Sequence, residues 1–125
     1  MWCKTTLLMK KLRFQFLRLT AVSVDGTSMS PSFNHGDWLL FRILRWPVAP
    51  THAKLADLVG KVVLVRRSSE FGDDFLQIKR VIHVNESGIW VEGDNKAQST
   101  DSRTWGYLSP KEIIAIYFLR YRRAR

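Results

Sequence analysis

The sequence is poor in cysteine and histidine, the residue types that most often build disulfides and metal sites. It has one cysteine, Cys3, and three histidines, His35, His52 and His83, among 125 residues. A single thiol cannot form an intramolecular disulfide. Because these four side chains are scattered at no metal-ligand spacing, we expect no metal site. Nothing in the sequence implies another cofactor.

The sequence also has no long apolar run. A membrane-spanning helix needs about 20 mostly apolar residues. The apolar residues near the start are interrupted by Lys10, Lys11, Arg13 and Arg18. The same charges leave no room for the apolar core of a secretory signal. Residues 5–17 instead favour a short basic amphipathic helix lying on a bilayer surface, so the pattern predicts no N-terminal membrane anchor.

Acidic residues are missing from both ends of the chain. The formal net charge is +9, of which residues 1–18 contribute +5 and residues 120–125 contribute +4, so residues 19–119 are neutral overall. Two basic ends favour either peripheral contact with an anionic membrane or simple solvation. A neutral central part argues against nucleic acid as a partner. We predict a basic N-terminal segment over 1–18, one domain over 19–119 and a basic tail over 120–125.

Turn-forming residues divide the domain into short β-prone runs. Residues 43–57, with Pro47 and Pro50, read as a connection that holds a short helical turn. Many short strands at close spacing indicate a mostly β fold, a single compact domain of short antiparallel strands. The predicted strands cover 21–24, 38–41, 61–67, 75–84, 89–92 and 113–120.

The run 75–84 has one charged residue on each face if its side chains alternate. Arg80 shares a face with Leu76, Ile78, Ile82 and Val84, so it should need a carboxylate partner. Lys79 shares the other face with Phe75, Gln77, Val81 and His83. Burial of Lys79 among apolar neighbours would lower its pKa and suit it to act as a base near neutral pH. The alternative is a solvated lysine on a half-exposed sheet.

Three segments, in order along the chain, resemble the type I signal peptidase family. Residues 24–33 read VDGTSMSPSF and are followed by Gly36-Asp37, similar to the family's nucleophile box. Residues 78–81 read IKRV, similar to its Lys-Arg-Val box. Residues 93–106 begin Gly-Asp-Asn and continue through Ser99, similar to its third box. The resemblance implies a signal-peptidase-like catalytic β core.

The resemblance also implies a serine endopeptidase with a Ser/Lys dyad. Ser28 would attack the scissile carbonyl and Lys79 would take its proton, because a serine hydroxyl is a poor nucleophile without a base. Ser99 would orient the lysine amine, although a turn serine is the alternative. The backbone of Gly26 and Ser28 would form the oxyanion region. Met29 would line the substrate groove, although buried methionine is often plain packing.

The remaining charged residues of the boxes are expected to be structural. Asp94, Asp101 and Arg103 would tie the third box to the sheet, and Asp94 is the first choice of partner for Arg80. The sequence departs from the family where Gly60-Lys61 stands in place of the usual Gly-Asp. It also has Gly26 where one branch has a hydroxyl residue that completes the oxyanion hole.

The implied reaction is removal of an N-terminal leader from a precursor protein. The short chain, the lack of a span and the run Gly-Asp-Trp-Leu-Leu at 36–40 resemble the nickel-type superoxide dismutase maturation proteases, which implies a cytoplasmic enzyme acting on that precursor. The alternative is a membrane-associated signal peptidase that processes exported proteins. A distant alternative is a self-cleaving repressor-type regulator, but eighteen residues are too few for its DNA-binding helices.

Overall fold

The chain folds around one antiparallel sheet. The computed structural model describes residues 3–5, 18–45, 50–68 and 71–124. The seven strands follow the order β1-β2-β3-β7-β4-β5-β6, so the mostly β fold predicted from the sequence is confirmed. The strands are β1 (Cys3–Thr5), β2 (Leu19–Val24), β3 (Trp38–Ile43), β4 (Val62–Ser68), β5 (Asp74–Asn85), β6 (Gly88–Glu92) and β7 (Ile113–Arg122).

Short helical segments connect some of these strands. Helix α1 (His52–Ala56) lies in the predicted connection and is capped by the preceding residue Thr51, whose hydroxyl accepts a hydrogen bond from the Lys54 amide at 3.3 Å. Helix α2 is Ser102–Trp105, and two 3₁₀ turns cover Lys96–Gln98 and Pro110–Glu112. Apart from Thr5 at the end of β1, the helix predicted over 5–17 lies outside the described residues. None of the described helices has the length and apolar character needed to cross a bilayer.

The sheet is buried on both faces at its centre. Val62, Val63, Leu64 and Val65 of β4 are all buried, although successive side chains of a strand point to opposite faces. One apolar cluster joins Val22, Val24, Met29, Phe33, Leu39, Phe41, Val62, Leu64, Ile78 and Ala115. The other joins Leu58, Val63, Val65, Val81, Ile89, Val91, Leu108, Ile113 and Ile116. Strand β5 therefore lies between two cores, and each of its faces has a different environment.

The end of β5 departs from the alternation predicted for residues 75–84. Val81 pairs with Val91 but His83 pairs with Trp90, so Ile82 is an extra residue in the ladder. After such a bulge, each following side chain points to the face opposite to the one that simple alternation predicts. Ile82 is exposed, and Val84 packs against the cluster that contains Val81. The prediction that Val84 shares a face with Ile78 is therefore wrong, whereas the alternation from Phe75 to Val81 is undisturbed.

Strand β7 extends further than predicted and takes in residues 120–122 of the expected tail. Leu39 and Trp38 of β3 pair with Arg120 and Arg122, which keeps these basic residues in the sheet. Arg120 reaches back to Asp37, which lies at the end of the loop between β2 and β3, with Nη1 3.2 Å from Oδ2. The Ala124 amide also donates to Asp37, at 2.7 Å. The last part of the described chain therefore anchors the β2–β3 loop.

Candidate active site

The predicted nucleophile lies in the β2–β3 loop, residues 25–37. Gly26 has a φ of 92°, a left-handed conformation that favours glycine. After it the chain turns tightly, because the amide of Ser30 donates to the carbonyl of Thr27 at 3.1 Å and that of Phe33 donates to Met29 at 2.9 Å. Met29 is buried in the first apolar cluster. Its packing anchors the loop and leaves Ser28, 6% exposed, at the edge of the core.

Two polar groups of Ser28 are available to a substrate. Neither the Ser28 amide nor its hydroxyl has a hydrogen-bond partner within the part of the chain that the structure describes. The Ser28 carbonyl, by contrast, accepts from the Asn95 amide at 2.8 Å. The carbonyl thus fixes the residue against the third box while the hydroxyl and amide remain free.

Lys79 is fully buried, which excludes the solvated lysine considered as the alternative. It lies on β5 opposite Val63 of β4. Its Nζ atom donates to Ser99 Oγ at 2.9 Å and lies 5.9 Å from the centre of the Trp105 ring. The amine is therefore held by a hydroxyl in an apolar and aromatic environment, where a charged ammonium is poorly solvated.

The hydrogen bonds of Ser99 have a definite direction. Its Oγ donates to Asp101 Oδ2 at 2.8 Å. Because a serine hydroxyl has a single proton, Ser99 must accept from Lys79 rather than donate to it. When the Lys79 amine is neutral, Ser99 therefore contacts one of its N–H groups and not its lone pair.

Asp101 is a fully buried carboxylate that stays ionised. Burial would raise its pKa, but hydrogen bonds from Arg103, the Gly93 amide and Ser99 hold the pKa well below the ordinary carboxyl value. Arg103 Nε lies 2.9 Å from Oδ1 and the Gly93 amide lies 2.9 Å from Oδ2. An ionised Asp101 is an acceptor only, so it fixes the orientation of the Ser99 proton.

Gly93 brings the two serines together. A β-carbon built on Gly93 would lie 2.2 Å from Ser99 Oγ and 2.7 Å from the Ser28 carbonyl oxygen. Both atoms therefore approach the same point, and Lys79 is bonded to one of them. The glycine is required here by space and not by a left-handed backbone. Sequence reasoning missed this role, because the Gly-Asp-Asn motif does not reveal which residues its glycine touches.

Asp94 and Asn95 of the third box bind it to both of the other boxes. Arg80 donates from Nε and Nη2 to the two Asp94 oxygens, both at 2.8 Å, so the partner expected for Arg80 is present. The Arg80 hydrogen bond lowers the pKa of Asp94. Ser32 donates to Asp94 at 2.6 Å, and Asn95 Nδ2 donates to the Thr27 carbonyl at 3.0 Å. These contacts fix the distance between the loop and β5.

The expected oxyanion region contains one occupied amide. The Gly26 amide donates to His35 Nδ1 at 3.0 Å, so it is not available to a substrate while that contact persists. Of the two backbone groups expected there, only the Ser28 amide has no acceptor among the described residues. The contact of His35 with Gly26 could not be predicted from the sequence.

Two further residues beside Lys79 were not identified from the sequence. The Trp105 ring contacts the Arg67 guanidinium, whose carbon lies 4.2 Å from the ring centre, as well as Lys79. Gln77 is buried, and its Oε1 has no hydrogen-bond partner in the described part of the chain. A buried polar group without a partner typically costs about 1–3 kcal/mol. The only sequence signal for Gln77 was its position two residues before Lys79.

Comparison with known proteins shows similarity to a protein family and to a curated relative. The family model described as "Signal peptidase, peptidase S26" matches residues 59–122, a segment that contains Lys79 and Ser99 but begins after Ser28. The chain is 28% identical over 102 residues to "Mitochondrial inner membrane protease subunit 2" of Danio rerio. The alignment covers 69% of this chain and 55% of the relative, so the chain spans about half the length of that protein.

Proposed function

We propose that this chain, which belongs to the signal peptidase family, peptidase S26, is a serine endopeptidase with Ser28 as nucleophile and Lys79 as general base. One observation carries the proposal. A fully buried lysine amine is bound to Ser99, and Ser99 and Ser28 meet at Gly93. A buried amine is the form of lysine that can act as a base near neutral pH, because burial disfavours the ammonium.

The proposed reaction begins with attack of the Ser28 oxygen on the scissile carbonyl carbon. The Ser28 proton passes to the lone pair of neutral Lys79, and the carbonyl π electrons move to the carbonyl oxygen. Collapse of this tetrahedral intermediate breaks the carbon–nitrogen bond, and the Lys79 ammonium gives its proton to the leaving amine. Water, with Lys79 again as base, then hydrolyses the acyl ester on Ser28.

Two features of the site support this sequence of steps. The Ser28 amide is free to donate to the oxyanion that develops on the substrate. Ser99 accepts from Lys79 because its own proton is directed to Asp101, so Ser99 does not occupy the lysine lone pair that would take the Ser28 proton. Ser99, Asp101 and Gly93 therefore position the base, and Asp94, Arg80 and Arg103 hold the third box.

The proposal is tested by cleavage of a precursor peptide with purified variants. Ser28→Ala and Lys79→Ala should each abolish cleavage without unfolding the protein. The double variant should be little worse than either single variant, because the two residues act as one unit. Ser87→Ala and Lys111→Ala alter exposed residues of the same types and should retain activity. Substantial cleavage by folded Lys79→Ala would show that another group is the base.

The substrate class we propose is a precursor protein with an N-terminal leader. The finer proposal, a nickel-type superoxide dismutase precursor, depends on the run Gly-Asp-Trp-Leu-Leu at 36–40. Coexpression of that precursor with the wild-type chain or with Ser28→Ala provides the test, with mass spectrometry of the precursor as the readout. A leader that remains in place beside the active wild-type chain would refute this substrate.

A second candidate is a membrane-associated peptidase that processes exported proteins. The name of the Danio rerio relative, an inner membrane protease subunit, favours it, as does the positive charge of residues 1–18 and 120–125. Fractionation of cells that express the chain separates the two candidates. Recovery with membranes, followed by release in high salt, is expected for peripheral attachment to anionic lipids. Recovery entirely in the soluble fraction would argue against the membrane-associated candidate.

A further inference from the structure

Gln77 holds an acceptor that the folded chain leaves unused. Its Oε1 is the one side-chain oxygen or nitrogen found buried without a hydrogen-bond partner in the described part of the chain, and the residue is 5% exposed. Buried amide oxygens nearly always have a partner, so an unpartnered one needs an explanation. The location of Gln77 suggests that its partner forms during the reaction.

Gln77 and Lys79 share a face of β5. The pairs Val63↔Lys79, Leu64↔Ile78 and Val65↔Gln77 run without a register shift, so the bulge at Ile82 does not affect this part of the strand. Residues two apart on a strand are separated by about 7 Å along the chain. The side chains of glutamine and lysine are long enough to meet across that spacing.

Trp105 lies near both ends of the same row of side chains. The distance from its ring centre is 5.9 Å to Lys79 Nζ and 4.2 Å to the Arg67 guanidinium carbon. Arg67 pairs with Phe75, so the row that contains Gln77 lies between these two cations. Gln77 and Lys79 are therefore neighbours in one row, and both are buried.

We propose that Gln77 is a positioning residue whose Oε1 accepts a hydrogen bond from Lys79 when the amine becomes an ammonium. This inference depends on the proposed role of Lys79 as the base. When Lys79 takes the Ser28 proton, its lone pair becomes a third N–H bond and the nitrogen gains a positive charge. A buried ammonium requires acceptors for its N–H groups, and Gln77 offers an unused one two residues away.

The proposal predicts opposite changes in two variants. Loss of the acceptor in Gln77→Leu should destabilise the ammonium, lower the pKa of Lys79 by about one unit and reduce kcat about tenfold, since bonds to charged groups are among the stronger hydrogen bonds. Because the base must be neutral, the acid limb of the rate profile should move to lower pH. Gln77→Glu should move it to higher pH. Among the described residues, Asp101 is linked to Lys79 through Ser99, Arg103 is bonded to Asp101, and Arg67 lies over the Trp105 ring; all three are unchanged in both variants.

The experiment combines two readouts on the full chain. The first is the pH dependence of kcat and KM for cleavage of a precursor peptide. The second is an NMR titration of the Lys79 ε-methylene in a Ser28→Ala background, which reports the lysine pKa without catalysis. Gln77→Met, which keeps the side-chain length without the acceptor, replaces Gln77→Leu if that variant does not fold. Gln98→Leu makes the same substitution at an exposed site and serves as the control.

The outcomes are distinct. A lowered lysine pKa in Gln77→Leu and a raised one in Gln77→Glu support the proposal. An unchanged pKa in both variants overturns it, as does a change confined to KM, which would mean that Gln77 contacts the substrate. Paired shifts in the titration, combined with a chain that retains Ser28 but cleaves no precursor peptide, would support the Gln77–Lys79 contact and count against the proposed cleavage reaction.

Discussion

Replacement of Gly93 by alanine tests whether close approach of the two serines is essential. The new β-carbon would lie 2.2 Å from Ser99 Oγ, whereas an ordinary van der Waals contact begins near 3.4 Å. Ser99 must therefore move by about 1 Å or more. The Ser28 carbonyl, 2.7 Å from the new β-carbon, must also move, but by less. A misplacement of about 1 Å commonly costs two orders of magnitude in rate. We expect kcat/KM of Gly93→Ala to fall at least about 100-fold while the protein remains folded.

The assay is cleavage of a precursor peptide, with thermal unfolding measured on the same sample. Gly72→Ala is the matched control, because Gly72 has a φ of 85° and no atom within 4 Å of the added β-carbon. The control should lose about 1 kcal/mol of stability from backbone strain and retain its activity. Gly93→Ala should show the opposite pattern, with activity lost out of proportion to stability. A Gly93→Ala protein that retains activity within about threefold would refute the reasoning.

Three further predictions follow from the hydrogen-bonded carboxylates. Asp101 and Asp94 have lowered pKa values in the folded chain, so their contribution to stability is complete above the ordinary carboxyl pKa of about 4 and is lost as the pH falls below it. Urea unfolding between pH 6 and 3 should show this decline, and a flat profile would contradict it. Asp101→Asn should weaken that pH dependence, because the substituted side chain does not titrate. It should also reduce kcat, because the amide no longer fixes the Ser99 proton, and unchanged kinetics would refute the positioning role. Arg120→Ala removes the bonds to Asp37 and to the Ser32 carbonyl, at 3.2 and 3.1 Å, and should cost about 1–3 kcal/mol in urea unfolding. Arg122→Ala, an exposed control, should cost less than about 0.5 kcal/mol, and equal losses would refute the Asp37 argument.

The strands could be predicted, and Ser28, Lys79 and Ser99 could be proposed as the centre of the site, because their signals are local. Turn residues bound each strand, and the three boxes contain Ser28, Lys79 and Ser99 at recognisable spacings. The burial of Lys79 could not be predicted in this way, since alternation alone favours a solvated lysine. It depends on α2 and Trp105 covering that face of β5, which is a tertiary effect.

Other features depend on atoms that meet across long sequence separations. The bulge at Ile82 has no glycine to mark it, so simple alternation was extended too far. The Gly26–His35 hydrogen bond and the close packing at Gly93 join residues whose pairing no periodic pattern encodes. The unpartnered oxygen of Gln77 is defined by the absence of a neighbour, and only the packed structure can reveal that.

The position of β7 has a consequence for the order in which the site is assembled. Ser28 follows β2, and Lys79 lies on β5, but β7 lies between β3 and β4 in the sheet. A nascent chain that has emerged only as far as β6 can pair β2 with β3 and β4 with β5, yet within the sheet these two pairs have no common neighbour. Strand β7, which joins them, follows the other six described strands along the chain, and its end also anchors the β2–β3 loop through Asp37. The hydrogen-bonded sheet that contains both β2 and β5 is therefore continuous only after β7 has been made, whereas the bonds of Asp94 and Asn95 to the β2–β3 loop can form earlier.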